Sequence, residues 1–410
     1  MSDIPAQAQI AKGRWSALTL ICLGVVGAMT CWFSATAILP DLIRDWSLTA
    51  GQAGWLTNAV QIGFVLGALA ASLVNLPDIV RLTRLIAVSA LLAAGANAVL
   101  LLEPGFAGAV AARFATGVAL AGLYPPAMKL MATWFVRGRG LAMGFLIAGL
   151  TLGSSMPHLF RALGDGVDWR IVVICSTLAT LSSAMIFGAL VREGPHGFGR
   201  ATFDPRQAVE VLRSRPVFLA NLGYFGHMWE LYAMWAWFLA FAGAAAQAGA
   251  TPFGSPSMFA FVVVASGVVG CVLGGALSDR IGRCLTTAGM MVVSGCCAAL
   301  IGFAFDGPAW LLVVIAVIWG ISIIGDSAQF SAAVTELAKP SLVGTALTLQ
   351  VSIGFALTVF VIWLMPHVAA ALGGWQWAFL VLLPGPVVGA WAMMQLRAMD
   401  EARNLSGGRR

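Results

Sequence analysis

Apolar residues run along this chain in long blocks, separated by short polar stretches that often carry glycine or proline. The blocks fall at roughly 15–39, 52–73, 84–102, 106–134, 140–163, 169–191, 216–243, 257–277, 284–305, 308–336, 343–366 and 374–396. Each is close to the ~20 residues that carry a helix through the hydrocarbon core of a bilayer. A helix satisfies its own backbone hydrogen bonds, so such blocks predict an all-α membrane protein of twelve transmembrane helices. The longest polar stretch, Arg192 to Pro216, follows the sixth block. It holds Gly194, Pro195, Gly197 and Gly199, then Asp204-Pro205 as cap and first turn of a short helix. Val209 and Leu212 beside Arg206, Arg213 and Arg215 suit a helix lying at the membrane surface. The pattern thus predicts a six-helix bundle over 1–191, a linker with an interfacial helix over 192–215, and a second six-helix bundle over 216–410.

Composition sharpens this picture. Hydrophobic residues make up 60% of the 410 and charged residues only 10%, against the ~25% charged of a soluble domain. Mean hydropathy is +0.90, and the blocks leave no room for a sizeable soluble domain. The formal charge of +6 reads as topology, not as a nucleic-acid interface. Nearly all Lys and Arg outside the blocks fall on the linker side, from Lys12 and Arg14 to Arg409 and Arg410; Arg44, Arg161 and Arg170 face the other way. The positive-inside rule then places both termini in the cytoplasm of a multi-pass inner-membrane protein. Met1 to Arg14 is short, polar and weakly basic without a small-residue cleavage site, and reads as a cytoplasmic tail. The seven cysteines sit mostly inside apolar blocks without metal-ligand spacing, as small hydrophobes. No cofactor or metal is expected, and the expected partners are the lipid bilayer, a small-molecule substrate and protons, with the chain acting as a monomer.

The two halves share a plan. Ala71-Ser-Leu-Val-Asn75 matches Gly275-Ala-Leu-Ser-Asp279 at an offset of 204, and Gly117 and Gly122 match Gly320 and Gly325 at 203. Gly140 opens the fifth block as Gly344 opens the eleventh, and Asp168-Trp-Arg enters the sixth as Gly374-Trp-Gln enters the twelfth. Four matches at nearly one offset predict parallel repeats, two six-helix bundles related by a pseudo-twofold axis.

After the eighth block comes Gly275-Ala-Leu-Ser-Asp279-Arg280-Ile-Gly282-Arg283. Glycine permits a tight turn at the helix end, and the Asp/Arg cluster can latch neighbouring helix ends. This run resembles the loop signature of the major facilitator superfamily. The first-half copy, Asn75-Leu-Pro-Asp78-Ile-Val-Arg81, carries Asn where that signature has Asp, with Asp78 as the substitute. Arg113-Phe-Ala-Thr-Gly117 is similar to the superfamily's signature in the fourth span. Trp134 to Gly140 with Leu141 and Ala142 resembles the junction of branches that carry small anions and organic acids. The second and eighth blocks lack the arginines of nitrate carriers, and the fifth lacks the Gly-Pro pair of proton-drug antiporters. The resemblance implies that spans one, four, seven and ten line a central cavity.

The intramembrane charges, each costly in lipid, fall mainly on that set: Arg113 and Lys129 in the fourth block, Glu230 in the seventh, Asp326 in the tenth. The seventh is densest, with Tyr224, His227, Trp229, Glu230, Tyr232, Trp235 and Trp237. His227 and Glu230 lie three apart on one helix face and are expected to form a proton or substrate site. Asp326 and Gln329 also share a face, predicting a polar pocket. Arg113 is expected to attract an anionic substrate, pair with a carboxylate or brace a neighbouring helix. Lys129 is near enough to the interface to snorkel. Tyr124-Pro125-Pro126 is expected to break or kink the fourth span and free carbonyls toward the cavity, and Pro157-His158 to act similarly in the fifth. Trp32, Trp235 and Trp237 are further cavity candidates.

The resulting expectation is a secondary transporter, proton-coupled, moving a small anionic or amphipathic organic solute by alternating access through a site of Arg113, Tyr124, His227, Glu230, Tyr232, Trp235, Asp326 and Gln329. Proton-driven efflux of a hydrophobic compound is the alternative. A scaffold or sensor lacks an output domain here, and an enzyme lacks a nucleophile, zinc or phosphate motif.

Overall fold

The computed structural model describes residues 13–135, 138–164, 168–196 and 205–409, and these are helical with no strand among them. In chain order the α-helices are α1 (Arg14–Met29), α2 (Ser34–Ala37), α3 (Leu39–Trp46), α4 (Ala50–Leu73), α5 (Leu76–Ile79), α6 (Leu82–Ala98), α7 (Gly105–Ala121), α8 (Tyr124–Trp134) and α9 (Arg139–Leu163). There follow α10 (Arg170–Met185), α11 (Ala208–Arg213), α12 (Arg215–Gln247), α13 (Pro256–Ile281), α14 (Arg283–Leu300), α15 (Ala309–Gly325), α16 (Ser327–Leu337), α17 (Val343–Ala371) and α18 (Pro384–Ala398).

Ten helical stretches among the described residues are long and apolar enough to cross a membrane. The two other blocks fall on α1, which is apolar but only 16 residues long, and on α12, which is long at 33 residues. Asn221, Tyr224, His227 and Glu230 lower the hydropathy of α12, so the helix richest in chemistry is the one that composition alone recognises least.

Local chemistry explains the breaks. α7 stops at Ala121 and α8 restarts at Tyr124 with proline in its first turn, where a missing N–H costs nothing. The equivalent break between α15 and α16 at Asp326 contains no proline and was not expected. α9 runs through Pro157 without a break. In the linker, α11 follows a 3-10 turn at Pro205–Gln207; the proposed cap Asp204, with Gly197 and Gly199, lies outside the described residues, as do the tail residues 1–12.

The repeat is visible in the packing. A Cβ on Gly117 of α7 would run into the Val60 carbonyl of α4, and one on Gly320 of α15 into the Val263 carbonyl of α13. From Val60 to Val263 and from Gly117 to Gly320 the offset is 203 in both cases. Gly67 against Val118 and Gly270 against Ile321 repeat the relation at the same offset. Small residues let backbones approach where no hydrophobic effect drives helices together. Across the linker, α9 packs along α13 and α4 along α17, and these two seams join the first half of the chain to the second.

Valine at Gly117 or Gly320 is expected to cost about 1–3 kcal/mol or more through forced overpacking, read as a lowered Tm in detergent. Gly275→Ala meets no atom within 4 Å and is expected to leave Tm unchanged or raise it; equal losses at all three positions would contradict this packing.

Candidate functional site

Between α1 and α2 the chain leaves the helix over Thr30–Phe33. Two carbonyls freed there are taken by Arg113 of α7: Nη1 donates to Cys31 O at 2.8 Å, and Nη2 donates to Trp32 O. Nη1 also donates to Ser34 Oγ at 3.1 Å and Asn97 Oδ1 at 3.2 Å. Asn97 is held in turn by Ser34 and by Thr177. The guanidinium is fully buried. Its role is therefore to brace the unwound backbone. It does not face a hollow shared with Glu230 and Asp326, as expected from sequence, because the broken α1–α2 connection supplies oxygen dipoles nearer at hand.

The second half holds two separate polar pairs. His227 Nδ1 lies 2.8 Å from Asp326 Oδ1. Glu230 accepts from Trp319 Nε1 at 2.7 Å and from Ser294 Oγ at 2.9 Å. All three ionisable groups are about 2% exposed. His227 and Glu230 share a helix face yet turn to different partners, since the break at Asp326 brings that carboxyl to the imidazole. Trp319 and Ser294, the groups that hold Glu230, went unrecognised in the sequence because nothing local marks a partner 64 or 89 residues away.

Gln329 leaves the pocket predicted with Asp326. Its Oε1 accepts from Arg283 Nη1 at 2.7 Å, and Arg283 also bonds Glu336 at 2.5 and 2.7 Å and Ser278 at 3.3 Å. The loop motif is thus a latch between the start of α14 and the end of α16. Gly275 lies within α13, and Gly282 at φ +91° makes the turn. Asp279 contributes its backbone carbonyl, which accepts from Arg409, and Arg280 is exposed. In the first half Asp78 meets Lys129 at 2.5 Å.

Tyr232 and Trp235 do reach the seam between the halves. Tyr232 lies 5.8 Å from Trp32 and 5.1 Å from Phe355, and Phe64 lies 5.0 Å from Trp32 and 4.7 Å from Phe355. Phe33 meets Trp235 at 5.9 Å. These rings pack together where α4, α12 and α17 meet the segment that follows α1. Phe64 and Phe355 were missed because a phenylalanine in an apolar block carries no signal. Tyr124 is half-buried. Beyond the aromatic closure, on the side away from the linker, lies a cavity of about 210 Å³ lined from both halves by Thr36, Pro40, Ala53, Trp237, Ala240 and Pro366.

The model of the Major Facilitator Superfamily matches residues 21–361 of this chain. The chain is similar to the probable sulfoacetate transporter SauU of Cupriavidus necator, 24% identical over 66% of either chain. It is also similar to the niacin transporter NiaP of Acinetobacter baylyi, 26% identical over 41% of this chain and 38% of that one. These alignments span less than two thirds of either relative's length. Among solved structures, the proton:xylose symporter XylE superposes with a TM-score of 0.70 at 13% identity, covering 93% of this chain and 95% of that one. The likeness to XylE shows the fold.

Arg113→Ala is expected to lower Tm by several degrees, since each buried acceptor left unpaired costs roughly 1–3 kcal/mol. Arg113→Lys is expected to recover only part, because one ammonium cannot fork between two carbonyls as a guanidinium does. Full recovery by lysine would show that charge alone matters at this position.

Proposed function

This chain belongs to the Major Facilitator Superfamily, and from that membership we propose that it is a secondary transporter, not an enzyme, moving a small organic solute across the inner membrane by alternating access. In this reading the twelve apolar blocks all span, as two six-helix bundles about a pseudo-twofold axis, with both termini cytoplasmic. The repeated glycine packing, the two seams and the transporters among its relatives support it.

The observation that carries the reading is the double duty of α12. It presents Tyr232 and Trp235 to the seam and, within two turns, His227 and Glu230 to α14, α15 and the break before α16. Five residues separate His227 from Tyr232, roughly 7.5 Å along the axis. Protonating Asp326 weakens its hold on the His227 ring 2.8 Å away, and that carboxyl sits at the break before α16. A shift of α12 then moves the ring closure. Coupling of this kind needs the proton to favour one state over the other, which a pair that exists in only one state provides. Protons are therefore the coupling ion we favour, with Asp326 the principal carrier and Glu230 the second. The apolar walls of the cavity away from the linker, including Leu39, Ile43 and Leu239, favour export of a hydrophobic compound as the second reading.

In proteoliposomes, an imposed pH gradient is expected to drive uptake of a labelled solute drawn from small carboxylic acids and their amides. Asp326→Asn is expected to reduce gradient-driven uptake by about tenfold or more, the worth of one hydrogen bond to a charged group, while equal-concentration exchange survives. Gradient-driven uptake that persists in Asp326→Asn combined with Glu230→Gln would remove both carboxyls from coupling.

A further inference from the structure

One set of buried polar atoms has no use in the account so far. Gln61 of α4 is fully buried, and neither its Oε1 nor its Nε2 has a hydrogen-bond partner among the described residues. Asn58 Oδ1, one turn away and 1% exposed, is likewise unpaired, and so are the indole N–H groups of Trp32 and Trp235. Buried polar groups are nearly always paired, and each orphan costs free energy. Four such residues in one region require a reason.

Their placement supplies it. Thr57 bonds Thr36 at 2.8 Å and Phe64 packs on Trp32. Gln61 lies one turn from each of Thr57 and Phe64, so it faces the segment between Trp32 and Thr36. Gly54 faces Trp237 of α12, which sets Asn58, one turn further along α4, toward the second half. Trp32 and Trp235 belong to the ring cluster around Tyr232 and Phe33. The orphans therefore line the seam beside the aromatic closure.

The set offers donors and acceptors together but no charge. The buried charged groups nearby make their main contacts elsewhere, Arg113 with carbonyls of the first half, Asp326 with His227, and Glu230 with Trp319 and Ser294, although Arg113 Nε and His227 Nε2 also lack hydrogen-bond partners among the described residues. An ionised solute entering here would be desolvated without a counter-ion, which is expensive in a low-dielectric site. An uncharged group with a donor beside an acceptor finds both partners, and a planar body finds ring faces. We infer that the seam holds an uncharged hydrogen-bonding subsite, built on Gln61 and Asn58 with the indoles of Trp32 and Trp235, whose ligand is a neutral planar solute bearing a carboxamide or an equivalent donor–acceptor pair. The inference rests on the carrier reading for its biological meaning but not for its test.

The test uses matched probes, nicotinamide against nicotinate and benzamide against benzoate, in thermal-shift measurements on the purified full chain. The amides are expected to raise Tm by a few degrees through binding to the folded state, and the acids to have about tenfold weaker effect or none. Gln61→Met, which removes two orphan atoms at nearly equal volume, is expected to leave the unliganded Tm unchanged or higher and to abolish the amide shift. Acids matching amides, amides without effect, a shift that persists in Gln61→Met, or a lower unliganded Tm in that variant would each overturn the assignment; the last would show that the amide is paired within the protein. Amides that bind through Gln61 yet are not moved in proteoliposomes would instead sink the carrier reading and leave the subsite standing.

Discussion

A polar group surrounded by lipid has only the protein itself to bond with, and this constraint orders the whole molecule. Arg113 is satisfied by carbonyls of its own half. Glu230 bonds Trp319 and Ser294, and His227 Nδ1 meets Asp326, within the other. Among the described residues these buried charged groups form their contacts inside one half or the other, and the seam between halves holds no ion pair. It is closed by rings, whose contacts are short-ranged, individually weak and easily remade in a second arrangement.

The stronger polar ties lie at the ends. Arg283 with Glu336 and Gln329, and Lys129 with Asp78, bind neighbouring helices within a half on the linker side. Arg161 and Asp41 do the same on the far side, at 3.0 Å. Close glycine contacts then make α4 with α7, and α13 with α15, rigid pairs. Stiff halves joined by a soft seam suit rigid-body rocking, and the breaks at Leu123 and Asp326 place adjustable backbone at equivalent depths in the two repeats.

Much of this was legible in the sequence. Block lengths located the helices, the near-constant offset anticipated the repeated glycine contacts, and Pro125-Pro126 marked the break before α8. What escaped were relations between distant residues. His227 lies three residues from Glu230 but pairs with Asp326 about a hundred residues on, because an unwound turn without proline aims that carboxyl at it. Gln329 looked like a pocket residue until the latch arginine claimed it. For Arg113 the sequence left substrate attraction, a carboxylate partner and a bracing role open, and the unwound carbonyls that decide for bracing are not visible in it. Gln61 drew no notice, as a lone amide in an apolar block stands out only once its partners are seen to be missing.

The most direct measurement of the account is the distance between the halves. Spin labels at Ile43 of α3 and Ala240 of α12, which face each other across the cavity away from the linker, report the seam, with exposed Cys296 replaced by serine. A second pair, at Ile43 and Leu163, lies within the first half. The account predicts two distance populations for the first pair, their ratio shifting with pH and losing that shift in Asp326→Asn, and one unchanging distance for the second. A single distance across the seam at every pH, or a pH-dependent distance within the first half, would contradict it.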